Sequence, residues 1–197
     1  MDLKGKNIII TGGSLGIGKE TAKKLLDKGA NVLVIGRSLT RLKESFLNSK
    51  VNLLSFDIGD IDNIVVNAKK SLDLLDNRVD VLINNAGIGV SKSIEDLEYT
   101  DFIDVFNVNV FGLSLFTKEI IPIMKSQQHG TIINIGSTAS LKGYKNGSIY
   151  ASSKFAVRCL TQCWQAELRP YNIRVCQINP SEVTTAFGNP ERVERDE

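Results

Sequence analysis

The chemistry of Tyr150 and Lys154 depends on their spacing, with Tyr150-Ala151-Ser152-Ser153-Lys154 as the stretch that sets it. If residues 148–168 are helical, four positions put the two side chains one turn apart on the same face. A free phenol has a pKa of about 10 and is a poor acid–base group at neutral pH. An ammonium beside it favours the phenolate and lowers that value. Lowering it by about 3 pH units takes roughly 4 kcal/mol of differential stabilisation. Such a phenol can pass a proton to a carbonyl oxygen or take one from an alcohol. Ser137 adds a hydroxyl upstream, and Thr11-Gly12-Gly13-Ser14-Leu15-Gly16-Ile17-Gly18 forms a glycine-rich turn. Alone, Tyr-x-x-x-Lys specifies little, because both residues are common on helix surfaces. The elements around it carry the weight.

Apolar runs of strand length alternate with amphipathic helix-length segments. Strands are expected at residues 7–10, 31–35, 51–56, 79–83, 131–135 and 174–178. Helices are expected at 17–27, 39–46, 61–75, 100–125 and 148–169. Lys28-Gly29-Ala30 closes the first helix with glycine, as helix ends often do. The strands are continuous in Val, Ile and Leu, which suits burial on both faces of a parallel sheet. Alternating strand and helix imply right-handed crossovers with helices on both faces. The expected fold is an α/β, doubly wound parallel sheet (Rossmann-like), one domain over residues 1–197.

The chain has 197 residues, a size that buries about 70% of its unfolded surface without a disulfide or metal staple. Its formal net charge of +2 and scattered lysines leave no basic stripe, so no nucleic-acid partner is expected. Lys23-Lys24 and Lys69-Lys70 read as solvated helix faces. No run reaches the roughly 18 apolar residues that span a bilayer. The first residues lack the apolar core of a signal peptide. A cytoplasmic protein without a membrane partner is expected. Cys159, Cys163 and Cys176 show no metal-ligand spacing and read as packed, reduced thiols, with no metal. The single histidine, His129, falls in a turn, which argues against a histidine-centred triad.

Glycines in a turn that leaves a strand and opens a helix let the backbone approach a pyrophosphate, whose charge meets the helix N-terminus. Here the spacing Gly12-x-x-x-Gly16-x-Gly18 differs from the usual Gly-x-Gly-x-x-Gly. In its Thr-Gly-x-x-x-Gly-x-Gly form it resembles the short-chain dehydrogenase/reductase family. Asn84-Asn85-Ala86-Gly87 is similar to that family's Asn-Asn-Ala-Gly motif. Asp57 falls where the family meets adenine, and Asn109 where it places an Asn in mid-helix. Ser137 precedes Tyr150 by 13 positions (150 − 137), the family's Ser-to-Tyr spacing. Asn179-Pro180-Ser181-Glu182-Val183-Thr184-Thr185 resembles its Pro-Gly…Thr loop over the nicotinamide. Read singly, Asp57 could cap the next helix, Asn109 could sit on a solvent face and Ser137 could be turn filler.

The resemblance covers nearly the whole chain and implies a catalytic set of Asn109, Ser137, Tyr150 and Lys154. Tyr150 would protonate the carbonyl oxygen, and Ser137 would hydrogen-bond it. Lys154 would lower the Tyr150 pKa and hold the nicotinamide ribose. Asn109 would bend its helix and support a water relay to Lys154. Cofactor contacts would come from Gly12, Ser14, Leu15, Gly16, Ile17 and Gly18, then Arg37, Ser38, Asp57 and Ile58. Asn85, Ala86, Gly87, Tyr150, Lys154, Pro180, Val183 and Thr185 would complete them. Ser181 replaces the family's usual Gly, so a slightly different loop path is expected. Family members usually continue for several dozen residues. The last strand and most of the substrate loop therefore read as missing, residues 191–197 as a solvated charged end, and the chain beyond Thr185 as mobile.

NAD sites place an acid after the second strand, whereas an Arg there accommodates the 2′-phosphate of NADP. This chain reads Val34-Ile35-Gly36-Arg37-Ser38, with no acid and with a guanidinium fork suited to phosphate. NADP(H) is the expected cofactor, although Arg37 could also be an exposed helix-cap residue. Within the family the chain is most similar to 3-oxoacyl-[acyl-carrier-protein] reductases. The implied activity is NADP(H)-dependent reduction of a carbonyl, a 3-oxoacyl thioester being one candidate. A general ketone reductase and a weakly active cofactor-binding regulator are the alternatives. Apolar Phe102, Phe106, Phe116, Phe155, Leu160 and Trp164 mark the two long helices that pair between subunits in the relatives. A homodimer is expected, with the second interface that would build a homotetramer absent or weak.

Overall fold

The computed structural model describes residues 2–185, 187 and 188. The short apolar runs become six strands: β1 (Asn7–Thr11), β2 (Asn31–Gly36), β3 (Asn52–Ser55), β4 (Val81–Asn84), β5 (Gly130–Ile135) and β6 (Ile173–Ile178). Between them lie α1 (Gly16–Asp27), α2 (Leu39–Ser45), α3 (Ile64–Asp73), α4 (Tyr99–Phe106), α5 (Leu113–Gln127) and α6 (Ser148–Leu168). All strand pairs are parallel, in the order β3-β2-β1-β4-β5-β6. This is the doubly wound sheet expected from the alternation. The chain end expected to be mobile, beyond Thr185, lies outside the described residues apart from 187 and 188.

Side chains alternate across the central strands and feed two cores. Ile9, Leu33, Leu82 and Ile132 pack against Ile64 and Ala68 of α3, Phe116, Ile120 and Met124 of α5, and Leu168 of α6. Ile8, Ile10, Val32, Val34, Val81 and Ile83 meet Ala22 of α1, Leu42 of α2 and Phe46 on the other face. Each such side chain stabilises the fold by about 1.5–3 kcal/mol on burial. That explains why β1, β2 and β4 could be continuously apolar. Among the described residues β6 pairs only with β5, so it lies at the sheet edge.

The long helix expected at 100–125 is three pieces. Between α4 and α5 the backbone widens into a π-helical turn, Asn107–Gly112. Gly112 lies so close to the Ile58 carbonyl that a β-carbon there would overlap it. The side chain of Asn109 turns inward to bond the Ile88 backbone. Inserted turns of this kind are common at functional sites. The segment expected as helix 61–75 opens with a 3₁₀ turn, Ile61–Asn63, before α3.

Phe116 is buried and Trp164 packs on the first core, whereas Phe102 and Phe155 remain 40% and 41% exposed. Not all apolar residues of these helices therefore face the sheet. The cysteines also depart from expectation: Cys159 and Cys163 are exposed, on the face of α6 away from buried Val157 and Thr161. At the N-terminal edge of the sheet, buried Asp80 accepts hydrogen bonds from the Asn7 amide (2.9 Å) and from Lys6 and Arg78 (3.1 Å each). His129, expected in a turn, holds Nε2 at 3.1 Å from the same carboxylate. Burial alone would raise the Asp80 pKa, but these partners outweigh it and lower it to about 2. No helix among the described residues is long and apolar enough to cross a membrane.

Candidate active site

Strands β1 and β4 are neighbours, but the chain runs outward from them in opposite directions, and a crevice opens beyond their carboxyl ends. A cavity of about 430 Å³ occupies it. Its first wall is the turn after β1. Gly12 has φ +65°, and a β-carbon there would lie 2.6 Å from the Ala86 Cα. Both conformation and contact therefore require glycine. Gly16, at φ +51°, swings the chain into α1, which has no side-chain cap and no acid in its first turn. Ser14, Leu15, Gly16 and Ile17 line the cavity at this helix start, a setting that favours an anion.

The turn after β4 is tied to the turn after β1. Asn85 Nδ2 donates to the Thr11 and Gly12 carbonyls (3.0 and 2.9 Å). Thr11 Oγ1 accepts from the Asn85 and Ala86 amides (3.1 Å each). Gly18 does not line the cavity. Its α-carbon packs beneath Asn85 and the Gly12 carbonyl, where a β-carbon would collide. Its place in the motif is one of close packing.

Arg37, Ser38, Asp57 and Ile58 line the far end, where Arg37 Nη1 stands 3.9 Å from Asp57 Oδ2. Asp57 Oδ1 accepts from the Gly59 amide (2.9 Å), a local turn rather than a helix cap. Ser38, by contrast, caps α2, accepting from the Arg41 amide at 3.3 Å. Arg41 lines the cavity too, so two arginines border it. Arg41 is not among the residues expected from the sequence, although its position four after Arg37, in the first turn of α2, is a usable signal.

At the near end the structure brings Ser137, Tyr150 and Lys154 together. Ser137 leaves β5, caps a 3₁₀ turn through the Ala139 amide (3.1 Å) and faces the Tyr150 phenol, whose pKa it acts to lower. Lys154 is almost wholly buried, and its Nζ donates to the Ile135 carbonyl at 2.8 Å. Burial pulls the Lys154 pKa down to about 8. The expected lowering of the Tyr150 pKa is not what the structure shows. Burial raises it, Ser137 offsets this in part, and Tyr144 adds to the rise. The ammonium lies 5.8 Å from the Tyr150 ring centroid and bonds the Ile135 carbonyl.

Asn109 stands behind the cavity rather than in it. Its Nδ2 donates to the Ile88 carbonyl (2.9 Å) and to Ser153 Oγ (3.0 Å), and its Oδ1 accepts from the Ile88 amide (2.9 Å). Ser153 Oγ in turn donates to the Tyr150 carbonyl at 2.7 Å. Asn109 thus braces the helix that carries Tyr150. Gly87 lies between Asn109 and Lys154, where a β-carbon would be in ordinary contact with Asn109 Oδ1 (3.4 Å) and Lys154 Nζ (3.5 Å). Pro180, Ser181, Val183 and Thr185 complete the rim. Phe187, which the sequence motifs do not mark, sets its ring 5.6 Å from that of Tyr150.

The glycine cradle and the start of α1 fit the pyrophosphate of a dinucleotide. A model of the short chain dehydrogenase family matches residues 6–196. Dehydrogenase/reductase SDR family member 7B of Xenopus laevis is 33% identical over 90% of this chain, which spans 58% of that protein's length. An NADP-dependent 3-hydroxy acid dehydrogenase of Schizosaccharomyces pombe is 33% identical over 94% of the chain and 74% of its own length. A solved short chain dehydrogenase/reductase from Burkholderia phymatum in complex with NAD superimposes with a TM-score of 0.91 at 26% identity, covering 100% of this chain and 72% of that one.

Proposed function

The chain belongs to the short-chain dehydrogenase family, and on that premise we propose that it reduces a carbonyl to an alcohol with NADP(H). The observation that carries this reading is the convergence of Ser137, Tyr150 and Lys154 at one end of a cavity whose other end holds Arg37 and Arg41. NADP(H), when bound, supplies the hydride. The turn at residues 12–17 would receive its pyrophosphate, and Arg37 and Arg41 its 2′-phosphate. Two cations and no acid after β2 favour NADP(H) over NAD(H), although relatives of both kinds exist.

The chain's own residues then handle one oxygen and one proton. The Ser137 hydroxyl and the Tyr150 phenol both address the substrate oxygen, fixing its approach. Tyr150 gives its proton to that oxygen in reduction. The phenol carries its proton at neutral pH, and burial, which raises its pKa, holds that proton more tightly than water would. Lys154 places a cation beneath the site, and Asn109 holds Ile88 and Ser153 around it. A 3-oxoacyl thioester is one substrate class that suits this chemistry, and a simple ketone is the other. A cofactor-binding regulator with little turnover is the remaining reading, and the assembled catalytic residues weigh against it. The apolar face bearing Phe102, Phe111 and Phe155, each at least 40% exposed, suits a second copy of the chain. A cytoplasmic, homodimeric enzyme is the corresponding assignment.

NADPH oxidation over a panel of ketones and 3-oxoacyl thioesters tests the activity. Turnover is expected with at least one class. Tyr150→Phe should keep NADPH binding and lose about 10²–10⁴-fold in rate. Near-normal turnover by that variant would overturn the assignment of the acid.

A further inference from the structure

Beneath the site lies a row of polar side chains that takes no direct part in the reaction. Asn84, Asn134 and Gln177 are register partners on β4, β5 and β6. Asn84 Nδ2 donates to Thr117 Oγ1 on α5 and to Asn134 Oδ1, at 2.9 Å each. Asn134 Nδ2 donates to Thr161 Oγ1 on α6 at 2.9 Å. The Thr161 hydroxyl, 2.7 Å from the Val157 carbonyl, is also 3.2 Å from Gln177 Oε1. Gln177 Nε2 donates to Asn179 Oδ1. Asn84, Thr117, Asn134 and Thr161 are all buried. Apolar side chains would fill the same layer without needing partners, so the polar row calls for an explanation.

We infer that Gln177 is a positioning residue, which locks the Tyr150–Lys154 helix to the strand ends carrying Ser137 and the 180–185 loop. Thr161 lies on α6 two turns beyond Lys154. Gly136, directly before Ser137, has no room for a β-carbon, because the Gln177 amide and the Asn179 side-chain oxygen occupy that space. The Gly136 amide donates to the Ile178 carbonyl (2.8 Å) and the Thr138 amide to the Pro180 carbonyl (3.0 Å). These two bonds bracket Ser137. One side-chain amide thus meets the helix through its oxygen and the loop through its nitrogen, while packing on the residue before Ser137. The consequence for turnover rests on the roles proposed above for Ser137 and Tyr150.

Gln177→Leu keeps the volume and removes both hydrogen bonds. Gln177→Glu keeps the reach and the acceptor for Thr161, and the Asn179 amide can turn to donate to it. In Gln177→Leu, backbone amide exchange at Gly136 and Thr138 should rise about tenfold, the size of one missing hydrogen bond, while β1 and β2 stay unchanged. The kcat should fall roughly tenfold or more with the NADPH Kd held within about twofold, and Gln177→Glu should restore most of both. Unchanged exchange at 136 and 138 overturns the inference. So does a uniform rise over the sheet with kcat per folded molecule unaltered, which is a purely structural role. Asn179→Ala, at an exposed position, carries the same exchange test if Gln177→Leu does not fold. Absence of turnover in the unmodified chain would overturn the proposed function, while exchange still decides whether Gln177 is the lock.

Discussion

Replacing Lys154 by Met should stabilise the ligand-free chain near neutral pH. Burial lowers the Lys154 pKa from 10.5 to about 8. At 1.36 kcal/mol per pH unit, that gap is about 3 kcal/mol of destabilisation from the buried cation. Below pH 8 the cost is fully present, because both folded and unfolded chains carry the charge. Between pH 8 and 10.5 the folded chain sheds its proton first, so stability rises with pH. Met fills a similar volume and has no charge, but it leaves the Ile135 carbonyl without the 2.8 Å bond from Nζ. Leaving that acceptor unbonded costs about 1 kcal/mol. The net gain at pH 7 is then about 2 kcal/mol, or roughly 4–8 °C in Tm for a chain of this size. Above pH 10.5 the order should reverse, with the variant about 1 kcal/mol less stable. Thermal unfolding of both proteins at the two pH values is the assay. No gain at pH 7, or the same gain at both, would refute the reasoning. The variant should also lose turnover, so the chain gives up stability to keep a cation at its site.

Arg37→Asp should weaken NADPH binding by roughly ten- to a hundredfold with little change for NADH, the size expected for a charge-assisted phosphate contact. Equal Kd values for the two cofactors in the unmodified protein would refute the 2′-phosphate assignment. Asp80, with its pKa lowered from 3.8 to about 2, contributes about 2 kcal/mol that is fully present above pH 3.8 and is lost as pH falls through 2. Asp80→Asn should remove that share of the acid dependence, seen as a smaller fall in the urea midpoint between pH 5 and 2 than in the unmodified protein. Light scattering at micromolar concentration should give a dimer, and Phe155→Asp should shift it to monomer. A monomer in the unmodified protein would refute the helix-pair interface.

Much of the fold was legible because its signals are local. Continuous Val/Ile/Leu runs separated by amphipathic helices can only be buried in a parallel sheet covered on both faces, and the strands came within two residues of their observed bounds. Glycine spacing was legible for a similar reason. The steric demand at Gly12 and Gly16 falls on single positions, whatever else the chain does. Tyr150, Lys154 and Ser137 were legible as residue types at set intervals. What those intervals do not encode is environment. The pKa of Tyr150 rises rather than falls because burial acts through everything packed around the ring, not through the lysine one turn away. Helix 100–125 breaks into a π turn because Gly112 meets the Ile58 carbonyl, a contact between segments more than fifty positions apart. Arg41 and Phe187 join the site, and Gln177 meets Thr161 beneath it, only when separate elements fold over one another. Periodicity and backbone sterics are properties of the chain alone. Desolvation, and hydrogen bonds between distant segments, exist only after the sheet has assembled, so only the tertiary structure could decide them.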